Sequence, residues 1–139
     1  MQFCGFPLLH VAETMRALPL DPFPEMPAFV LGVSIVRGAP VPVINLAMLL
    51  GSHSHLPATR YVTINLGERL VAFAVESVIG VRRLVVDSTR DLPPLLSQTE
   101  TGIVTAIATL DTELLLVLNG ARFFHESVLE SGYAPVVHS

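Results

Sequence analysis

Between Gly32 and Gly51 the chain reads GVSIVRGAPVPVINLAMLLG, two short apolar stretches parted by one arginine and one glycine. Residues 33–36 are rich in β-branched side chains and too few for a helix of ordinary length, so they predict a strand. Arg37-Gly38 closes it, with glycine supplying the positive φ that a tight turn needs. Pro40 and Pro42 lack an amide proton. Residues 40–44 therefore predict a strand along a sheet edge or past a bulge, where neither proline has to donate. Asn45 ends that strand and caps a helical turn over 46–50, with Gly51 as its stop. The segment reads as a buried hairpin presenting a single cation at its tip. A plainer reading is a core hairpin whose arginine is merely solvated.

The rest of the chain repeats the theme. Residues 61–66 and 70–75 predict a second hairpin around Gly67-Glu68-Arg69. Residues 78–86 predict a further strand, and 87–101, polar and containing Pro93-Pro94, an irregular crossing. Residues 103–110 and 114–118 predict a third hairpin around Asp111-Thr112-Glu113, followed by a short helix that Asn119 caps and that includes Arg122, Phe123 and Phe124. Residues 32–50 and 102–124 share the order glycine, strand, turn, strand, asparagine, helical turn, an echo too weak to count as a repeat.

Composition narrows the class. At 139 residues one domain is expected, long enough to bury a core. Hydrophobic residues make up 51% and charged ones 14%, with mean hydropathy +0.61, so part of the apolar surface is expected to face partners. Arg37, the prolines and Asn45 interrupt the longest apolar run, which argues against a membrane span. No basic residue precedes the first apolar stretch, which argues against a secretory signal. Cys4 is the sole cysteine, so no intramolecular disulfide forms, and a reducing cytoplasm fits. All eight basic residues are arginine and the formal charge is −4, which gives nucleic-acid binding little support.

Catalytic chemistry is hard to find. Of the five histidines, His53 and His55 with Cys4 or Glu13 are the best candidates for a metal site, but they share no recognised ligand spacing. No phosphate-binding loop or nucleophile elbow is present, and Glu13, Glu76 and Asp87 read as solvated carboxylates. The expectation is no catalytic residue, no metal and no cofactor.

At the first hairpin the chain resembles the CheW family, the adaptor domains of bacterial chemotaxis, in which this region looks like Gly-Val-x-x-x-Arg-Gly-x-x-x-Pro-Val-x-Asp-Leu. Gly32, Val33, Arg37, Gly38, Pro42, Val43 and Leu46 match. Val11-Ala12-Glu13 upstream, and Arg60-Tyr61-Val62, Phe73-Ala74-Val75-Glu76-Ser77-Val78 and Val81-Arg82-Arg83-Leu84 downstream, follow the family's order. The likeness spans residues 4–124, with 125–139 as a C-terminal helix and tail. It implies an all-β fold of two packed five-stranded SH3-like barrels with short helical turns.

The resemblance also implies a function: a non-enzymatic adaptor, cytoplasmic and associated with receptor arrays. Its partners would be the regulatory domain of a CheA-type histidine kinase and the cytoplasmic tip of a chemoreceptor, with no nucleic acid and no membrane insertion. Val11, Glu13, Gly32, Val36, Arg37 and Gly38 stand at or beside the positions the family uses for contact. The alternatives are a drifted scaffold of another sensory or pilus-motility array, or a barrel module in which Arg37 holds a small anionic ligand.

The chain departs from the family pattern at several positions. Asn45 and Ala47 stand where aspartate and arginine are common, and Glu76 replaces another aspartate. Cys4-Gly5-Phe6 aligns with the family's second strand, so the first strand is expected to be missing or shortened. An open barrel edge would then invite self-association, or pairing with the tail at Tyr133, Ala134, Pro135, Val136 and Val137.

Overall fold

The computed structural model describes residues 3–51, 57–83, 102–110 and 113–120. They form eight strands in two sheets, and the chain divides into two compact units. The unit spanning Leu9–Gly80 holds a five-stranded sheet with β2 Val11–Arg16, β3 Val30–Val36, β4 Ala39–Asn45, β5 Arg60–Leu66 and β6 Arg69–Val75, in the order β2-β5-β6-β4-β3. The unit made of Met1–Leu8 and Val81–Ser139 holds β1 Phe3–Gly5, β7 Val104–Leu110 and β8 Glu113–Leu118, in the order β1-β8-β7.

The first predicted hairpin is β3–β4, in register from Val36↔Ala39 to Val30↔Ile44. Arg37 and Gly38 fill a two-residue turn with φ of 52° and 80°, the double positive φ of a type I′ turn, whose twist matches the flanking strands. Because Val36↔Ala39 closes this turn, Pro40 and Pro42 fall at the alternating positions that do not bond to β3. The other neighbour of β4, strand β6, begins to pair only at Val43. Both prolines are thus spared a donor role, as the sequence requires. Asn45 accepts a hydrogen bond from Met48 N at 3.0 Å and caps the helical turn α1, Leu46–Leu49. Strands β5 and β6 meet at Leu66↔Arg69 around Gly67-Glu68.

Alternation of side chains builds the core of this unit. Val36, Val41, Val43, Tyr61, Ala72 and Ala74 form one buried cluster, with Met15, Leu18, Leu31, Ala58 and Leu70 packed at its margin. Strand β6 is buried on both faces, since Val71 and Phe73 are as buried as Ala72 and Ala74, which explains its continuous apolar run.

Strands β2 and β3 are the two ends of the five-stranded order, and the chain beyond β2 joins them. Asp21 and Val33 exchange both backbone hydrogen bonds at 2.8 Å, a single bridge that ties this crossover to β3. Two buried hydroxyls fasten the same crossover. Ser34 Oγ donates to the Pro19 carbonyl at 2.9 Å and Tyr61 Oη to that of Leu18 at 3.1 Å, with the two hydroxyls 3.0 Å apart. Gly32 sits beside a bulge in β3 with φ +140°, and a Cβ there would lie 2.3 Å from the Asp21 carbonyl oxygen. Only a residue without a side chain lets the crossover come so close.

In the other unit, β7 and β8 form the third predicted hairpin, and β1 lies parallel to β8 with Phe3↔Leu115, Cys4↔Leu116 and Gly5↔Val117. Among the described residues the N-terminal strand comprises Phe3–Gly5. This unit contributes three strands among the described residues. The strand predicted over 78–86 is corrected in part: residues 78–83 have no regular secondary structure. Gly80 adopts φ 129°, Val78, Ile79 and Val81 are exposed, and the division between the two units falls there. Apolar β-branched composition alone does not make a strand without a neighbour to pair. The predicted crossing at 87–101, the helix with Arg122, Phe123 and Phe124, and the tail at 133–137 lie outside the described residues.

Candidate protein-binding site

The hairpin tip and strand β2 together build the site. Val36 is buried at 3% exposure and anchors the turn from below, so that Arg37 projects with its side chain 79% exposed. Arg37 Nη2 donates to Glu13 Oε2 at 2.7 Å, and Glu13 is 29% exposed. The guanidinium offers five donors in a fixed fork and this contact uses one, leaving the rest for an incoming carboxylate or carbonyl.

Glu13 is held in turn from beneath. The β2–β5 register shifts between Val11 and Glu13, a bulge in which Val11 pairs with Ile64 and Glu13 with Thr63. Thr63 is fully buried, and its hydroxyl accepts from Glu13 N and donates to Glu13 O, each at 3.1 Å. Sequence reasoning passed over Thr63, because a threonine in an apolar strand looks like any β-branched filler. A buried hydroxyl needs partners, and that need was the available signal.

The structure brings Glu13, Arg37 and Gly38 together at the surface, with Val36 buried next to the turn and Gly32 further along β3 against the Asp21 backbone. Val36 belongs to the core and Gly32 is buried at the seam, so neither offers a side-chain contact. Val11 is half-buried at the start of β2. On the same hairpin Val41 is core at 2% exposure, whereas Ala39 is exposed. Ile35, 56% exposed two residues before Arg37, adds an apolar neighbour on the same hairpin.

Among the described residues no three His, Cys, Asp or Glu side chains gather as a metal site, and His53 and His55 lie outside those residues. Burial pushes the Cys4 thiol up to about 11. The thiolate is the reactive form, so at pH 8 native Cys4 is expected to alkylate at least about 100-fold more slowly than in the unfolded chain. Because the folded value is the higher one, burial of this thiol favours folding fully below the unfolded pKa, and that contribution declines as pH rises toward 11. Iodoacetamide labelling followed by mass spectrometry reads the rate; equal rates in native and unfolded protein would contradict the burial.

A family model described as a CheW-like domain matches residues 1–128. The chain belongs to the CheW-like family. A probable chemotaxis protein CheW of Rhizobium etli is 26% identical over 132 residues, covering 94% of this chain and 84% of that protein. The chemotaxis protein CheW of Rhizobium meliloti is 33% identical over 95 residues, 67% of this chain and 59% of that protein. Protein FrzA of Myxococcus xanthus is 35% identical over 92 residues, or 65% and 56% of the two chains. The crystal structure of the scaffolding protein TtCheW from Thermoanaerobacter tengcongensis superposes with a TM-score of 0.73, covering 88% of this chain and 85% of that one. Its identity is 22%, so it speaks for the CheW-like fold alone. Among the described residues no helix is long and apolar enough to cross a membrane.

Proposed function

We propose that this CheW-like chain is a non-enzymatic adaptor of chemotaxis-type signalling, coupling methyl-accepting chemoreceptors to a CheA-type histidine kinase at cytoplasmic receptor arrays. Its chemistry is binding alone. Arg37 and Gly38 present the contact, Glu13 aims it, and Val11 starts the strand that carries Glu13. Gly32 and Val36 serve the site by fixing the seam and the turn.

The observation that carries this reading is Arg37 at φ 52°. A residue with a Cβ in the left-handed region costs of order 1 kcal/mol relative to glycine, and asparagine-glycine or glycine-glycine would make the same turn with less of that cost. Strain kept at an exposed, pre-aimed guanidinium is accounted for by a partner that grips it. Calorimetric titration of the full chain with a chemoreceptor cytoplasmic fragment, and separately with the kinase regulatory domain, tests the proposal. Binding to both, with stimulated kinase autophosphorylation in the ternary mixture, is expected; an absence of binding to either removes the reading.

A further inference from the structure

We infer that Thr63 is a positioning residue for the binding site: its buried hydroxyl grips both backbone groups of Glu13 at the β2 bulge and thereby fixes the carboxylate that aims Arg37. The inference rests on the adaptor reading for its consequence in binding, though its geometric part stands on the intramolecular contacts alone.

A bulge puts two residues of one strand against one of the other, so the regular ladder cannot serve every backbone group there. At this bulge a side chain does the work. Thr63 Oγ1 has one proton and two lone pairs; it gives the proton to Glu13 O and takes that of Glu13 N, both at 3.1 Å. Thr63 also pairs with Ala72 of β6, a strand buried on both faces, so the hydroxyl is mounted on the buried interior of the sheet. Glu13, by contrast, lies on β2, at the end of the sheet order. Its carboxylate reaches Arg37 Nη2 across 24 positions of sequence. Without the clamp, the bulge would lose its register and the carboxylate its aim, while the Arg37 turn itself would remain.

Two substitutions separate the hydroxyl from the methyl. Thr63→Val keeps shape and removes the hydroxyl; Thr63→Ser keeps the hydroxyl and removes the methyl. The first readout needs no partner: the Arg37 Nε–Hε resonance of the labelled full chain, assigned by its loss in Arg37→Ala. Thr63→Val is expected to move it toward its position in Glu13→Gln, and Thr63→Ser to leave it near wild type. An unmoved resonance in Thr63→Val, or an equal shift in both variants, overturns the inference.

The second readout is affinity for the chemoreceptor fragment. Thr63→Val is expected to weaken it about 3- to 10-fold in the wild-type background and to change nothing further in the Arg37→Ala background. Equal losses in both backgrounds overturn the inference, since the hydroxyl would then act apart from Arg37. Failure of the wild-type chain to bind the fragment would count against the adaptor reading, and the resonance would still decide the role of Thr63.

Discussion

Substituting Gly32 by alanine is expected to lower the melting temperature by about 8–24 °C, from a loss of about 2–6 kcal/mol. Two costs coincide at this position. The backbone adopts φ +140°, a region that L side chains rarely occupy, and the new Cβ would meet the Asp21 carbonyl oxygen at 2.3 Å. That oxygen is the acceptor of Val33 N in the bridge between the crossover and β3, so relief by moving it breaks the bridge itself. Gly38 provides the control. Its φ is +80° but nothing lies within 4 Å of a Cβ built there, so Gly38→Ala should incur only the conformational cost, of order 1 kcal/mol. Circular dichroism melts of the two variants decide the matter: a Gly32→Ala protein melting with or above Gly38→Ala would show that the seam tolerates a side chain.

Exchange of Arg37 for asparagine is expected to weaken chemoreceptor binding by about 1–3 kcal/mol, or about 5- to 150-fold, while leaving the melting temperature nearly unchanged. The two effects part company because they arise from different properties of one residue. The guanidinium is 79% exposed and its ion pair with Glu13 lies at the surface, so its loss costs the fold at most about 1 kcal/mol. Asparagine accepts the left-handed turn more readily than arginine, which offsets that loss. Binding has no such compensation, since asparagine's short amide cannot replace a charged fork. Isothermal titration beside a thermal melt reads both quantities; unchanged affinity would take Arg37 out of the site.

The parts of the fold legible in the sequence are those coded by neighbours in the chain. The tight turn at Arg37-Gly38 with its positive φ at Gly38, the placing of Pro40 and Pro42 and the Asn45 cap all depend on residues within a few positions of one another; the positive φ of Arg37 was not foreseen. So does the Gly67-Glu68 turn. The segment 78–83 misled because its β-branched side chains reported a preference, while strand formation depends on a partner. The site was half legible. Glu13 and Arg37 were singled out separately, yet their contact spans 24 positions, and the Thr63 clamp on Glu13 spans 50. Nothing local announces such pairings. Likewise Gly32 and Val36 were placed at or beside contact positions, and neither the burial of Val36 in the core nor the approach of the Asp21 backbone to Gly32 is written in their immediate neighbours.

The parallel pairing of Phe3–Gly5 with residues 115–117 bears on how the chain is made. Every strand of the five-stranded sheet lies between Val11 and Val75, so all of its ladders can zip while the C-terminal half is still being translated. Strand β1 is thus translated before that sheet and finds its mate after it. Once Gly80 has cleared the ribosome the sheet can be complete while β1 still waits for a partner about 110 codons further along than itself.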